Sequence, residues 1–249
     1  MEKEKAMLSI SRPAALALAL ILIPWAGGRA GNTPGVASEE HSTAANPISG
    51  KAHYALRDGL RIYLWEKYKA GTEGSFGRSG KIALLVHGGT WSGRPDFDLH
   101  IRDYSLMDLL ATNGYDVWAI DIHGYGHSDK TDKDWSGVQS AAADIDAAVE
   151  YIAKLRAVSK VDLLGWSAGT QRAGLYAMQH PERVGKLILY APQWKGTAEY
   201  RDKVRNRIEN GGKPLGQYRI NTEAAARSDF VEGELARDPQ FEEDVVALY

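Results

Sequence analysis

The stretch LLGWSAGT (163–170) decides the fold of this chain, because an apolar run leads directly into a G-x-S-x-G motif centred on Ser167. The run before the motif predicts a buried strand, and the residues after it predict a helix over 168–180 that ends before Pro181. Between a strand and a helix, such a motif forms a sharp turn that lifts the serine above the sheet. We therefore interpret Ser167 as a candidate nucleophile.

The segments around this motif alternate between strand and helix patterns, which is typical of an α/β protein. Residues 52–68 predict a hairpin around the turn signal at Asp58 and Gly59. Four other apolar runs predict strands: 81–87 and 115–121, which are typical of buried strands, and 160–165 and 185–192. If no further strand pairs with it, the last of these would be an exposed apolar edge. Helices are predicted over 104–114 and over an apolar stripe formed by Val138, Ala142, Ile145, Val149, Ile152 and Leu155. The fold class is therefore α/β, with a mostly parallel sheet and flanking helices.

The second candidate motif is LLVHGGTWSG (84–93), which follows one of the predicted strands. A glycine-rich loop at the carboxyl end of a strand can direct a backbone N–H at a developing oxyanion. The alternative is a tight turn that needs glycine for steric reasons alone. With the serine turn also present, we favour the oxyanion interpretation and predict that the N–H groups of Gly89 and Ala168 form the pair.

A third motif, AIDIHGYGHSD (119–129), ends another predicted strand at Asp121. One interpretation makes Asp121 or His123 catalytic. We favour the other, in which the Asp and Ser side chains of this loop satisfy nearby backbone groups.

These three motifs, in this order, resemble the α/β-hydrolase superfamily. The resemblance covers a core over 51–195, with 196–249 as the start of a helical cap or lid. It implies a triad in the chain order Ser, acid, His and an ester or related small-molecule acyl substrate, with no cofactor and no metal. Relatives that open epoxides or displace halide have Asp at the nucleophile position, and Ser167 argues against both reactions.

The histidine that this triad requires is difficult to find in the sequence. Only His180 follows Ser167, and it lies at the far end of the predicted helix, roughly 20 Å away at the helical rise per residue. His87 and His123 remain as weaker candidates for the base. We expect that the sequence is C-terminally truncated, that the last two core strands are missing, and that acid and histidine lie beyond Tyr249. On this hypothesis the chain as given is inactive, and the alternative is a non-catalytic binding protein with the same fold.

The N-terminus predicts export. Residues 1–30 have the charged start, short apolar run and small residues of a signal peptide, and 31–50 predict a flexible leader. An uncleaved anchor helix is the alternative, but the apolar run is short for a bilayer. We expect a periplasmic or secreted protein with no membrane span after cleavage. The chain has no cysteine, and its net charge of -2 without a basic stripe argues against nucleic acid as a partner.

Three tryptophans are candidates for an apolar substrate pocket: Trp91, Trp166 and Trp194. Packing between lid and core is an equal alternative for most of them. An esterase, a lactonase and a carbon–carbon hydrolase all fit the sequence.

Overall fold

The computed structural model of the 249-residue chain describes residues 47–101, 104–131 and 136–193, and the single positions 198, 199, 202, 222 and 224. The predicted signal peptide, most of the leader and almost all of the predicted cap lie outside these residues, as does Trp194. No helix of the described ranges is long and apolar enough to cross a membrane.

Six strands form one mostly parallel sheet in the order β1-β2-β4-β3-β5-β6. The strands are β1 (Ile48–Arg57), β2 (Leu60–Lys69), β3 (Ile82–Val86), β4 (Asp116–Ile120), β5 (Val161–Trp166) and β6 (Val184–Tyr190). β1 and β2 pair antiparallel and β2 pairs antiparallel with β4, whereas the pairings β4–β3, β3–β5 and β5–β6 are parallel. The predicted α/β class and its N-terminal hairpin are confirmed.

The hairpin between β1 and β2 is closed by a two-residue turn at Asp58 and Gly59. Both residues have positive φ, at 49° and 85°. Two consecutive left-handed residues twist the chain in the direction that adjacent antiparallel strands require, and Asp and Gly tolerate that conformation best.

Within the described parts of residues 47–193, five α-helices flank the sheet: α1 (Phe76–Ser79), α2 (Gly93–Phe97), α3 (Leu106–Thr112), α4 (Val138–Arg156) and α5 (Ala168–Gln179). α3 begins where the Ser105 hydroxyl accepts the N–H of Asp108 at 3.0 Å, which satisfies one free donor of its first turn. The middle of the predicted α4 stripe is buried in the core, but Val138 and Leu155 are exposed. These two residues lie in the first and last turns of α4, and so the predicted stripe is too long by one member at each end.

The four parallel strands end at the same edge of the sheet, which brings their carboxyl-terminal loops together. Every residue of β3 and β4 is buried, as predicted for central strands. β6 is an edge strand of the described sheet, and only its first residue, Val184, is buried. The loops after β3, β4, β5 and β6 therefore meet at one edge, and the predicted motifs lie in the first three of them.

Candidate active site

Ser167 occupies the turn between β5 and α5 with a strained backbone. Its φ is 51° and its ψ is −119°, a combination that residues other than glycine rarely adopt. Its N–H continues the parallel sheet by donating to the Tyr190 carbonyl at 3.1 Å. The geometry is that of the sharp strand–turn–helix that the sequence predicts at this position.

The two glycines of the motif are required by close packing. A Cβ on Gly169 would lie 2.6 Å from the carbonyl oxygen of His87, and a Cβ on Gly165 would lie 2.9 Å from the Cα of Thr170. Real Cβ atoms do not approach this closely, so only glycine allows the start of α5 to pack against β5 and the end of β3.

Gly89 and Ala168 lie side by side at the start of α5. A Cβ on Gly89 would lie 3.6 Å from the Cβ of Ala168. Among the described residues, neither the Gly89 N–H nor the Ala168 N–H has an acceptor. The positive end of the α5 dipole adds to the attraction for negative charge at this point. The predicted pair is therefore close together, and its role in binding an oxyanion stays a prediction.

The orientation of the Gly89 N–H is set by the peptide that precedes it. The carbonyl oxygen of Gly88 accepts hydrogen bonds from His87 Nδ1 at 2.8 Å and from Arg172 Nη1 at 3.1 Å. Since the C=O and N–H of a trans peptide point in opposite directions, the Gly89 N–H is directed away from these buried donors. Gly89 itself is exposed.

Two further side chains fix the same loop. Asp96 Oδ2 accepts the Gly88 N–H at 2.9 Å, and the Tyr125 hydroxyl donates to the Gly89 carbonyl at 3.0 Å. These bonds use the remaining polar groups of the two glycines and leave the Gly89 N–H available. The loop is thus held in one conformation before any ligand binds, as electrostatic stabilisation of an oxyanion requires.

The titratable groups beneath this loop have shifted pKa values. Burial lowers the pKa of His87 to about 3, and the positive charge of Arg172 adds to this effect. Burial raises the pKa of Asp96 to about 7, partly opposed by the Gly88 N–H. His87 is therefore neutral at ordinary pH, and its Nδ1 proton is the one donated to Gly88.

The Ser167 hydroxyl accepts a hydrogen bond from Gln193 Nε2 at 3.1 Å. Gln193 follows β6, and its backbone N–H donates to Thr170 Oγ1 at 3.1 Å, which fixes its position. A side-chain amide can hold the serine hydroxyl but cannot remove its proton, because it is not basic. The sequence analysis did not identify Gln193.

None of the three histidines considered from the sequence is placed to act as the base. His87 Nε2 accepts the N–H of Ile122 at 3.1 Å, so both of its ring nitrogens are engaged. His123 Nδ1 lies 2.6 Å from the buried carboxylate of Asp144. His180 caps the far end of α5 and stacks against Tyr176 at 4.9 Å between ring centroids.

The loop after β4 has the structural role that we favoured. Asp121 Oδ1 accepts the N–H of Gly93 at 2.7 Å and Oδ2 accepts the N–H of His127 at 2.8 Å. Ser128 Oγ accepts the N–H of Tyr63 at 2.7 Å. Both side chains satisfy buried backbone groups, and neither is directed to Ser167.

A family model described as serine aminopeptidase S33 (Hydrolase_4) matches residues 82–240, which is more than half of the chain and includes the serine turn and the glycine loop. This chain belongs to the serine aminopeptidase S33 family, within the α/β-hydrolase superfamily. Because the S33 model begins at β3, the N-terminal hairpin lies outside the matched segment.

Curated proteins similar to this S33 chain include hydrolases and esterases. The human serine hydrolase BPHL is 32% identical over 114 residues, covering 46% of this chain and 36% of its own length. A pimeloyl-[acyl-carrier protein] methyl ester esterase of Aliivibrio fischeri is 35% identical over 120 residues, covering 48% of this chain and 40% of its own length. The matched segments thus span about two fifths of these relatives.

Solved structures support the α/β-hydrolase fold of the S33 chain. An esterase from Exiguobacterium antarcticum superposes with a TM-score of 0.52 at 22% identity, covering 80% of this chain and 68% of the esterase. A thioesterase domain from the curacin biosynthetic pathway gives a TM-score of 0.52 at 19% identity, covering 80% of this chain and 64% of the domain.

The two described tryptophans of the predicted pocket are both half-buried in the S33 core. The Trp166 ring packs against the core cluster around Leu85 and lies 3.3 Å from the position of a Cβ on Gly88. The Trp166 ring therefore packs against the glycine loop. Trp91 lies two residues beyond Gly89. Contact of either ring with substrate stays a prediction.

Asp98, His100 and Asp108 form a cluster of possible metal ligands. Lys67 Nζ lies 2.7 Å from Asp98 Oδ1 and also pairs with Asp108. The ammonium group of Lys67 thus already supplies a positive charge to both carboxylates, and the cluster is an internal ion-pair network of the S33 core.

Proposed function

We propose that this chain carries the nucleophile and oxyanion-binding groups of a serine hydrolase that acts on an ester or a related acyl substrate. The observation that supports this most directly is the strained Ser167 turn with the free amides of Gly89 and Ala168 beside it. A strained turn of this kind persists where the surrounding structure maintains it, and such turns cluster at active sites.

In the proposed reaction, Ser167 Oγ attacks the acyl carbonyl carbon and its proton passes to a general base. The carbonyl oxygen becomes an oxyanion and is stabilised by the Gly89 and Ala168 amides. The bond to the leaving alcohol then breaks, and the alcohol takes the proton from the base. Water attacks the resulting acyl-enzyme by the same sequence of steps, which releases the acid and regenerates Ser167.

The general base and its acid are proposed to come from outside the described residues. Ser167 Oγ is bonded to Gln193, and His87, His123 and His180 are each engaged elsewhere. In the chain order implied by the resemblance, acid and histidine follow Ser167. In the active arrangement the histidine takes the position beside Ser167 Oγ that the Gln193 amide occupies here.

The relatives are what favour an ester substrate. The Aliivibrio relative is a methyl ester esterase. The residues matched by the S33 family model include the glycine loop and the serine turn of this chain. Export through the predicted signal over 1–30 is likewise proposed, which makes an extracytoplasmic acyl compound the class of substrate to test first.

A fluorophosphonate probe tests the proposal, because it reacts with an activated serine and not with an ordinary one. We expect probe adduct on Ser167 by mass spectrometry, with slow kinetics and little turnover of p-nitrophenyl esters, since no described histidine reaches the hydroxyl. Ser167→Ala should abolish the adduct. Ser159→Ala, at an exposed serine before β5, is the matched control and should leave it unchanged.

The proposal fails if the folded chain gives no adduct above the Ser167→Ala background. That outcome would favour a non-catalytic binding protein that keeps the serine turn only for its geometry.

A further inference from the structure

A cavity of about 240 Å³ opens beside α2, between the end of the loop after β3 and the loop after β4. We call it the Arg94 cavity. Its lining residues are Ser92, Arg94, Pro95, Asp98, Leu99, His100 and His127.

The guanidinium group of Arg94 is fixed in this cavity by uncharged neighbours. It stacks over the Trp65 ring, 4.3 Å from the ring centroid, and lies near the Tyr63 hydroxyl, where its positive charge acts to lower the pKa of that group. Among the residues that the structure describes, it has no ion pair with a carboxylate. A pre-organised arginine whose charge is not neutralised has donors available for an anion.

The one acidic side chain of the cavity, Asp98, does not neutralise Arg94, because its oxygens are fully used. Oδ1 accepts from Lys67 at 2.7 Å and from the Ser105 hydroxyl at 2.6 Å. Oδ2 accepts from Trp65 Nε1 at 2.7 Å and lies 3.1 Å from His100 Nε2. These bonds hold the pKa of Asp98 below its usual range against the effect of burial.

The other polar groups of the cavity are donors or can become donors. The Ser92 hydroxyl makes no hydrogen bond to a described residue, although Ser92 precedes α2 as its N-cap. His127 is exposed, with its ring against Tyr63 at 4.8 Å between centroids. Asp121, directly after β4, is buried and uses both oxygens on backbone amides.

We infer that the Arg94 cavity binds a small anion, a carboxylate or a phosphate carried on a short apolar chain. The guanidinium of Arg94 binds the anion, the Ser92 hydroxyl and the two histidines donate to its remaining oxygens, and Leu99 and Pro95 contact the apolar chain. The cavity has a guanidinium that no described carboxylate pairs with, and its one carboxylate is already fully hydrogen-bonded, which favours an anion over a cation. This binding does not require Ser167 to be a nucleophile.

Amide chemical shifts measured by NMR test the inference with two probes, sodium pentanoate and inorganic phosphate, at constant ionic strength. We expect saturable shifts at Ser92, Leu99 and His127 with millimolar affinity. If pentanoate binds more tightly, the natural ligand is a carboxylate on an apolar chain. If phosphate binds more tightly, the natural ligand carries a phosphate group. Either result supports the inference.

Arg94→Gln is expected to weaken binding of the tighter probe by about tenfold or more, because a charge-assisted pair is replaced by a neutral donor. Arg183→Gln is the matched control, since Arg183 pairs with Asp146 outside the cavity, and it should leave the affinity unchanged. Ser92→Ala gives a second test if Arg94→Gln does not fold, with a smaller loss expected. Shifts that do not saturate, or that persist unchanged in the folded Arg94→Gln or Ser92→Ala variant, would overturn the inference.

Discussion

Arg172 Nη1 lies 3.1 Å from the carbonyl oxygen of Gly88, so the helix that begins at the candidate nucleophile also holds the glycine loop. The same nitrogen lies 3.3 Å from the carbonyl oxygen of His87, and the Arg172 side chain is buried. Ser167 and Arg172 are five residues apart at the start of one helix. The distance between the serine and the Gly89 amide is therefore set by one rigid element.

Removing the Arg172 guanidinium should weaken reactivity at Ser167. In Arg172→Ala, the Gly88 carbonyl keeps only His87 as a donor, and the Gly89 N–H loses its fixed direction. Loss of a complete oxyanion donor costs about 10²–10³ in rate, and we expect about tenfold or more from a misdirected one. The measurement is the rate of fluorophosphonate labelling of Ser167. Added methylguanidinium should restore part of that rate, which a purely structural defect would not show, and unchanged labelling in the folded variant would refute the role.

Alanine at Gly169 should destabilise the fold strongly, because its Cβ would lie 2.6 Å from the His87 carbonyl oxygen. We expect a loss of about 3 kcal/mol or more in the free energy of unfolding, as for other overpacked sites. Gly174→Ala in the same helix is the control, since no atom lies within 4 Å of its Cβ position. There a gain of about 0.5–1 kcal/mol is expected from helix propensity. Urea denaturation measures the free energy of unfolding of both variants. Equal changes in Gly169→Ala and Gly174→Ala would contradict the packing argument.

Asp96→Asn should change how stability depends on pH. The pKa of Asp96 is about 7 in the folded protein, against a reference pKa of 3.8 for the unfolded chain. At pH values between these two, the folded state therefore binds more protons at Asp96 than the unfolded state does. Its contribution to stability therefore falls as pH rises from about 4 to about 7 and then stays constant. Asparagine cannot ionise and can still accept the Gly88 N–H.

We accordingly expect Asp96→Asn to match the wild type near about pH 4 and to be more stable by about 1–3 kcal/mol near about pH 8. Thermal or urea denaturation at the two pH values measures the difference. Asp116, whose pKa burial also raises to about 7, titrates in both proteins and cancels in the comparison. A difference that is independent of pH would show that Asp96 is not the group responsible.

Lysine on the exposed strand β6 should reduce self-association. Ile188 is 49% exposed on this edge strand, and exposed apolar edge strands promote pairing between molecules. Ile188→Lys should lower light scattering at high protein concentration and change the free energy of unfolding little. Leu163→Lys on the neighbouring strand β5, where the side chain is fully buried, should instead unfold the protein. Scattering that is insensitive to Ile188→Lys would show that β6 is not the associating surface.

Much of the fold could be predicted from local patterns in the sequence. The apolar runs at β3 and β4 lie in strands that are buried throughout, and the hairpin turn follows from Asp58 and Gly59 alone. The α4 stripe was wrong only at its ends, where Val138 and Leu155 are exposed. A helical period shows which face of a helix is apolar, but it does not show how far the sheet extends beneath the helix.

The sequence by itself determined the identity of the serine turn, because the glycines of G-x-S-x-G and the flanking strand and helix are close neighbours in the chain. Only the tertiary structure decided what surrounds that turn. Arg172 and Gly88 are 84 residues apart, and Gln193 lies 26 residues beyond Ser167, so no local spacing marks either contact. The same holds for Arg94 in α2, whose site depends on Trp65 and Tyr63 from β2. Periodicity records which residues are buried in an element, whereas the pairing of polar groups depends on how the strands are ordered in the sheet.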